Sequence, residues 1–318
     1  ISMKREWKKR LSMLGLVLLS ASVLAGCGGG DPAKQDQKGQ PKLSGNVKID
    51  GSSTVFPISE AMAEEFRKVQ PNVKVTVGES GTTGGMKKFV PGEIDIADAS
   101  RPIKAEELKG LKDRGDDAIE LSVAFDGLSV VVHKENTWAS SMTVAELKKI
   151  WEPGSKVSKW SDLRPEWPSE PIKLYGPGTA SGTFEYFTEA VVGKAKSSRP
   201  DYTASEDDNV LVKGVAGDKY SLGYFGYVYY LTNKDKMKLV AIDNGKGAIL
   251  PSETTIKDGT YKPLARPIFI YVSKKALERP EVKEFTKFYL ANATKLIPQV
   301  GYVPYPESAY QELLKKIQ

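Results

Sequence analysis

Residues 47–58 read Val-Lys-Ile-Asp-Gly-Ser-Ser-Thr-Val-Phe-Pro-Ile. Val47 and Ile49 alternate with Lys48, the period of a strand with one wet face. Gly51, Ser52, Ser53 and Thr54 are small, polar and turn-forming. Pro57 suits the first turn of a helix, and Ile58, Met62, Phe66 and Val69 then recur at helical spacing until Pro71 stops the run. Strand, polar loop and helix in immediate succession make the repeating unit of an α/β fold. In an open α/β sheet such loops lie at the carboxyl ends of strands, where ligands bind.

The same unit recurs outward. Val73–Val77 alternates as a strand, residues 78–85 (GESGTTGG) form a loop, and Met86–Val90 reads as a short helix stopped by Pro91-Gly92. Ile94–Ala97 is a strand and Ala105–Arg114 a helix. The valine-rich run Leu128–His133 is a strand, and Val144–Trp151 a helix with Thr143 as its N-cap. Residues 155–171, rich in proline and tryptophan, are irregular. Ile172–Tyr175 predicts a strand, 176–182 a loop and Phe184–Val192 a helix closed by Gly193. Tyr220–Leu231 reads as one long aromatic strand or a strand pair. Pro267–Val272 predicts a strand, and Pro280–Ala291 and Glu307–Ile317 predict helices. Alternation of this kind implies largely parallel sheets.

The amino-terminal stretch reads as an address. Lys4–Arg10 is basic, and Leu11–Ala25 is apolar but shorter than the roughly 20 residues that span a bilayer. Residues 1–26 therefore predict a signal peptide. Leu24-Ala25-Gly26-Cys27 resembles the bacterial lipobox, which makes Cys27 the expected lipid attachment. Two acyl chains, at about 0.8 kcal/mol per buried CH₂, would anchor the protein stably. Residues 27–44, rich in Gly, Pro and polar side chains, predict a flexible tether. The expected location is the extracytoplasmic face of the cell membrane, in a Gram-positive setting.

Composition narrows the chemistry. The 318-residue chain has a formal net charge of +6, but the signal segment carries most of it, which leaves no electrostatic case for nucleic acid. Single cysteine and histidine residues exclude an internal disulfide and a multi-His metal site. No metal or cofactor is expected, and a monomer is.

Three loops share one character: Gly51–Thr54 before Pro57, Gly81–Gly85 before Met86, and Ser181–Thr183 before Phe184. Helix N-termini present unpaired N–H groups and partial positive charge. Glycine admits a ligand to the backbone, and Ser or Thr adds a hydroxyl. Each loop is thus a cradle for an oxyanion or simply a well-capped helix start. Neither the dinucleotide nor the P-loop glycine pattern is present. Arg101, at the end of the Ile94–Ala97 strand, could fork onto an anion.

Together, residues 50–58 (DGSSTVFPI), 78–85 (GESGTTGG), 93–103 (EIDIADASRPI), 180–184 (ASGTF) and 223–229 (GYFGYVY) resemble the phosphate-binding proteins of bacterial Pst-type ABC importers. That resemblance implies a two-lobed periplasmic-binding-protein (type II) fold, each lobe a mixed, mostly parallel sheet flanked by helices. It implies lobe 1 at about 45–127 plus 266–318 and lobe 2 at about 128–265, with the hinge near residues 126–133 and 265–271. Function would be capture of inorganic phosphate for ABC permease subunits, with no catalytic residues. Matching positions assign phosphate to Thr54, the backbone of Val55, Thr82, Ser181, Gly182 and Thr183, with Ser53 a neighbouring donor.

Two positions depart from well-known members of the family. Where those carry an aspartate that accepts the proton of HPO₄²⁻, this chain has Arg101; where they carry an arginine before the third loop, it has Pro177. Arg101 is therefore the expected charge on the ligand. Asp126, Asp208 and Glu185 are alternatives for the proton acceptor, with Asn209 able to contribute an amide near the same place, and Lys87 and Lys88 are alternatives for the cation. Sulfate or molybdate remains an alternative ligand. An extracellular phosphatase or serine hydrolase is a weaker one, since Ser181 lacks the Gly-x-Ser-x-Gly elbow and only His133 could serve as a histidine base.

Overall fold

A computed structural model describes residues 41–318; the signal segment, Cys27 and the tether as far as residue 40 lie outside the described residues. The strands are β1 (Gly45–Gly51), β2 (Val73–Val77), β3 (Ile96–Ala99), β4 (Ala118–His133), β5 (Ser141–Thr143), β6 (Lys173–Gly176), β7 (Thr203–Ala204), β8 (Ser221–Gly226), β9 (Met237–Leu239), β10 (Ala241–Asp243), β11 (Ala248–Ile249), β12 (Ala265–Ser273) and β13 (Val303–Pro304). The main sheet runs β2-β1-β3-β12-β4-β8-β6-β7, with β13 and β9 also pairing β4; β11-β10-β5 make a small second sheet. Helices fill the connections, giving the expected α/β fold. Among the described residues, no helix is long and apolar enough to cross a membrane.

Parallel pairs occupy the two flanks, β2-β1-β3 and β8-β6-β7. The centre is antiparallel, because β4 carries the chain away from the first flank and β12 brings it back. The two strands pair side by side over Ala118–Gly127 and Ala265–Ser273. Beyond Gly127, β4 leaves β12 and pairs with β8 and β9.

Apolar side chains collect on either side of this crossing. One core joins Val47, Ile58, Met62 and Phe66 to Ile268, Phe285 and Tyr289. Its helix Phe56–Val69 buries Ile58, Met62 and Phe66 of the predicted face but leaves Val69 half exposed at its last turn, and Phe66 stands edge-on to Phe285 and Phe288 at 5.3 Å. A second core joins Leu128, Val130, Trp151, Phe187, Tyr224 and Leu264. There Phe187 stacks on Tyr224 at 3.7 Å, and Trp151 meets both edge-on. Leu43, assigned to the tether, packs against the first core and donates its N–H to Gln70 Oε1.

Several elements differ from the sequence expectation. The helices predicted from Met86 and Phe184 begin earlier, at Thr82 and Gly182, so the polar loops are themselves first helical turns. Residues 188–192 continue the second as a π-helical turn before Gly193. Tyr220–Leu231 is not one strand: β8 ends at Gly226, and Tyr227–Leu231 is helical. The helix Asp208–Gly217, whose Leu211, Val212 and Val215 are buried, carries too much glycine and acid to stand out in the sequence.

Thr143 is the N-cap of Val144–Trp151: its Oγ1 accepts from Glu146 N at 3.0 Å, and Glu146 Oε1 accepts from Thr143 N. Removing an N-cap hydroxyl costs about 1 kcal/mol. Thr143→Ala is expected to lower stability by that amount in urea unfolding, with an unchanged m-value.

Candidate anion-binding site

The first loop is fixed by β1. Gly51 has φ +143°, and a Cβ there would lie 2.1 Å from the carbonyl oxygen of Asp98, so only glycine lets β1 and β3 end this close together. Ser52 N donates to the same oxygen, and Ser52 Oγ accepts from Thr54 N. Thr54 and Val55 are buried at the start of the helix Phe56–Val69.

The second loop docks on the first. Gly81 N donates to Gly51 O at 2.8 Å, and Ser80 donates from N and Oγ to Asp50 Oδ1. Lys88 closes on the other Asp50 oxygen. Burial alone would raise the Asp50 carboxyl, but the bonds from Lys88 and Ser80 outweigh it and hold the carboxyl below its usual range. Lys88 is thus engaged inside this loop, while Lys87 is exposed. Thr82 Oγ1 accepts from Ser100 N at 3.1 Å and meets Ser100 Oγ at 3.0 Å.

Arg101 follows immediately. Its guanidinium forks onto Glu107 at 2.9 and 3.1 Å and reaches Pro102 O and Thr83 Oγ1. Burial pushes the Glu107 carboxyl up, but Arg101 and the N–H of Lys104 bring it below its usual range. The charge expected on the ligand is therefore shared with a carboxylate four positions beyond Ile103.

The third loop meets the first across the molecule. Ser181 Oγ accepts from Thr183 N, capping the helix that starts at Gly182. A Cβ on Gly182 would lie 2.7 Å from both N and Cα of Thr54, and Thr54 Oγ1 donates to Gly182 O at 3.4 Å. Ser53 Oγ donates to Glu185 Oε2, which also faces Lys196 at 3.6 Å. A cavity of about 230 Å³ opens beside this junction, lined by Ser53 of the first loop, Gly81 of the second and Thr179 and Ala180 just before the third, with Glu79, Glu185 and Lys196 at its walls.

The remaining sequence candidates separate. Asn209 donates from N and Nδ2 to Asp207 and is exposed. His133 ends β4, and its Nδ1 accepts from Glu135 N. Burial pushes the Asp208 carboxyl up to about 6, partly offset by a hydrogen bond with Tyr229. Asp126 is buried on β4, directly opposite Arg266 of β12. Burial pushes its carboxyl up to about 6 as well, with Arg266 pulling the other way.

Arg266 is the residue the sequence leaves unmarked. Its Nη2 lies 3.5 Å from Thr54 Oγ1, its Nη1 3.6 Å from Glu189 Oε2, and its guanidinium carbon 3.6 Å from the centre of the Tyr186 ring. The signal available was one charged residue in each of two otherwise apolar stretches, Phe125-Asp126-Gly127 and Ala265-Arg266-Pro267.

Among the described residues, no group of His, Cys, Asp and Glu could hold a metal ion. The arrangement offers hydroxyls, helix-start N–H groups and guanidinium donors, which suits an oxyanion.

A family model for the PBP superfamily domain matches residues 36–293. The chain is 50% identical to Protein SphX of Synechocystis sp. over 272 residues, 85% of this chain and 81% of that protein. It is 40% identical to Phosphate-binding protein PstS of Staphylococcus haemolyticus over 314 residues, 97% of each. Among solved structures, a "possible phosphate binding protein" from Planctomyces limnophilus is 52% identical, with a TM-score of 0.82 over 86% of this chain and 98% of that one. An ABC-type phosphate transport receptor from Vibrio cholerae shares the fold, with a TM-score of 0.61 at 23% identity over 82% of this chain and 100% of that one.

Proposed function

The chain belongs to the PstS-type phosphate-binding proteins of the PBP superfamily, and from that premise we propose that it captures inorganic phosphate between two lobes outside the cytoplasm and delivers it to an ABC permease. The observation that carries this reading is the contact of Gly182 with Thr54, a loop of one half pressed against a loop of the other. The two apolar cores support lobes at about 45–127 plus 266–318 and 128–265, since their buried members divide near those limits apart from Phe125 and Val303, which pack into the second core.

The phosphate ligands are Ser53, Thr54, the backbone of Val55, Thr82, Arg101, Ser181, Gly182 and Thr183. Hydroxyls and helix-start N–H groups donate to the oxygens, and Arg101 contributes charge while Glu107 braces it. Donors from both halves converge on one small anion, so each bond made also holds the halves together. The chain acts by binding, without chemical change of the ligand. It works as a monomer, held at the membrane by lipid on Cys27, and replacing Cys27 by Ser releases the body without altering phosphate affinity.

Ligand at a hundred times Kd stabilises the folded state by about 2.7 kcal/mol. Phosphate is therefore expected to raise the midpoint of thermal unfolding, and sulfate at equal ionic strength to raise it less. Equal midpoints with and without phosphate would refute the reading.

A further inference from the structure

Arg266 and Asp126 face each other in register on the paired strands β12 and β4. Both are largely withdrawn from water: the Arg266 side chain is 18% exposed and Asp126 is 2% exposed. Opposite charges so placed usually close into a hydrogen-bonded pair, because a buried charge without partners is costly. Here they do not. Arg266 Nε and Asp126 Oδ2 are both buried without a hydrogen-bond partner.

The other Arg266 contacts are long. Thr54 Oγ1 at 3.5 Å and Glu189 Oε2 at 3.6 Å lie at or past the outer limit of a hydrogen bond, and Tyr186 offers only its ring face. A guanidinium has five donors and no acceptor. This one therefore stands, with most of its donors unspent, beside the hydroxyl that itself bonds Gly182 O at the meeting of the first and third loops.

Resting on the reading that the junction takes phosphate, we propose that Arg266 is an anion-binding residue, supplying a cation from the strand pair that joins the two halves, with Asp126 as its buried counter-charge. The phosphate oxygens take the donors that Thr54 and Glu189 engage only weakly. Arg101, already forked onto Glu107, then closes the second loop rather than carrying the charge alone.

The test is calorimetric titration of phosphate into the wild type, Arg266→Met, Arg266→Lys and the double variant Arg266→Met/Asp126→Asn. The double variant leaves no unpaired buried charge, so it separates ligand contact from charge balance. A hydrogen bond to a charged group corresponds to roughly tenfold to a hundredfold in affinity. Arg266→Met and the double variant are expected to bind phosphate weaker by that factor, and Arg266→Lys to recover part of it. Near-ultraviolet circular dichroism checks that each variant is folded. Wild-type affinity in Arg266→Met or in the double variant would overturn the proposal. No binding by the wild type would instead overturn the phosphate reading on which it rests.

Discussion

Replacing Gly182 by Ala is expected to weaken phosphate binding roughly fivefold to a hundredfold. The new Cβ would stand 2.7 Å from N and Cα of Thr54 and 2.9 Å from the carbonyl carbon of Ser53. All are main-chain atoms, so no side chain can swing aside to make room. Overpacking of this kind costs about 1–3 kcal/mol, and 1.4 kcal/mol is tenfold in affinity. The cost falls only on the state in which the two loops touch. On the two-lobed reading the loops part without phosphate, so the thermal midpoint should move by less than about 3 °C, the shift that 1 kcal/mol produces in a domain of this size. Calorimetry and thermal melts on the same preparation check both halves of the expectation. A variant with unaltered affinity would show that the loops do not meet around the ligand.

Gly51→Ala should instead damage the folded state itself. Here the methyl group would sit 2.1 Å from the carbonyl oxygen of Asp98, within one continuous sheet, and the backbone holds φ +143°. Strain at such a φ costs about 1–3 kcal/mol, and steric overpacking about the same again. The sum, roughly 2–6 kcal/mol, is a large part of the stability of an ordinary domain. Guanidinium unfolding should show a lower midpoint whether or not phosphate is present. An unchanged midpoint would mean that β1 and β3 can separate at their ends without loss.

The sequence made the strand–loop–helix units legible because their signals are local. A proline at a helix start and an alternating VKVTV run need no knowledge of distant residues. Helix starts were less legible at Thr82 and Gly182, since glycine and threonine lower helix propensity even where the loop has already turned helical. Tyr227–Leu231 reads as strand because aromatic side chains favour strands, yet the chain turns helical after Gly226. Arg266 was hidden for another reason. Its meaning comes from Thr54, Asp126 and Tyr186, which lie far away along the chain: sheet register sets Asp126 opposite it, and Thr54 and Tyr186 reach it only by tertiary side-chain contact. By contrast Arg101, which sits in a recognisable motif, proves to have a local carboxylate partner of its own, Glu107.

The register of β4 with β12 also bears on how such a protein could be cut and rebuilt. Gly127 and Ala265 are direct partners on adjacent antiparallel strands, and everything between them leaves and returns through that one gap. Antiparallel neighbours can be rejoined by a two-residue hairpin turn. On the two-lobed reading, the segment from Leu128 to Leu264 is a cassette that could be exchanged for a relative's at two points facing each other across one strand spacing, with Phe125 and Val303 still to be matched to its core. A hybrid made at these points would keep the first loop, the second loop and Arg266 from one parent while taking the third loop from the other.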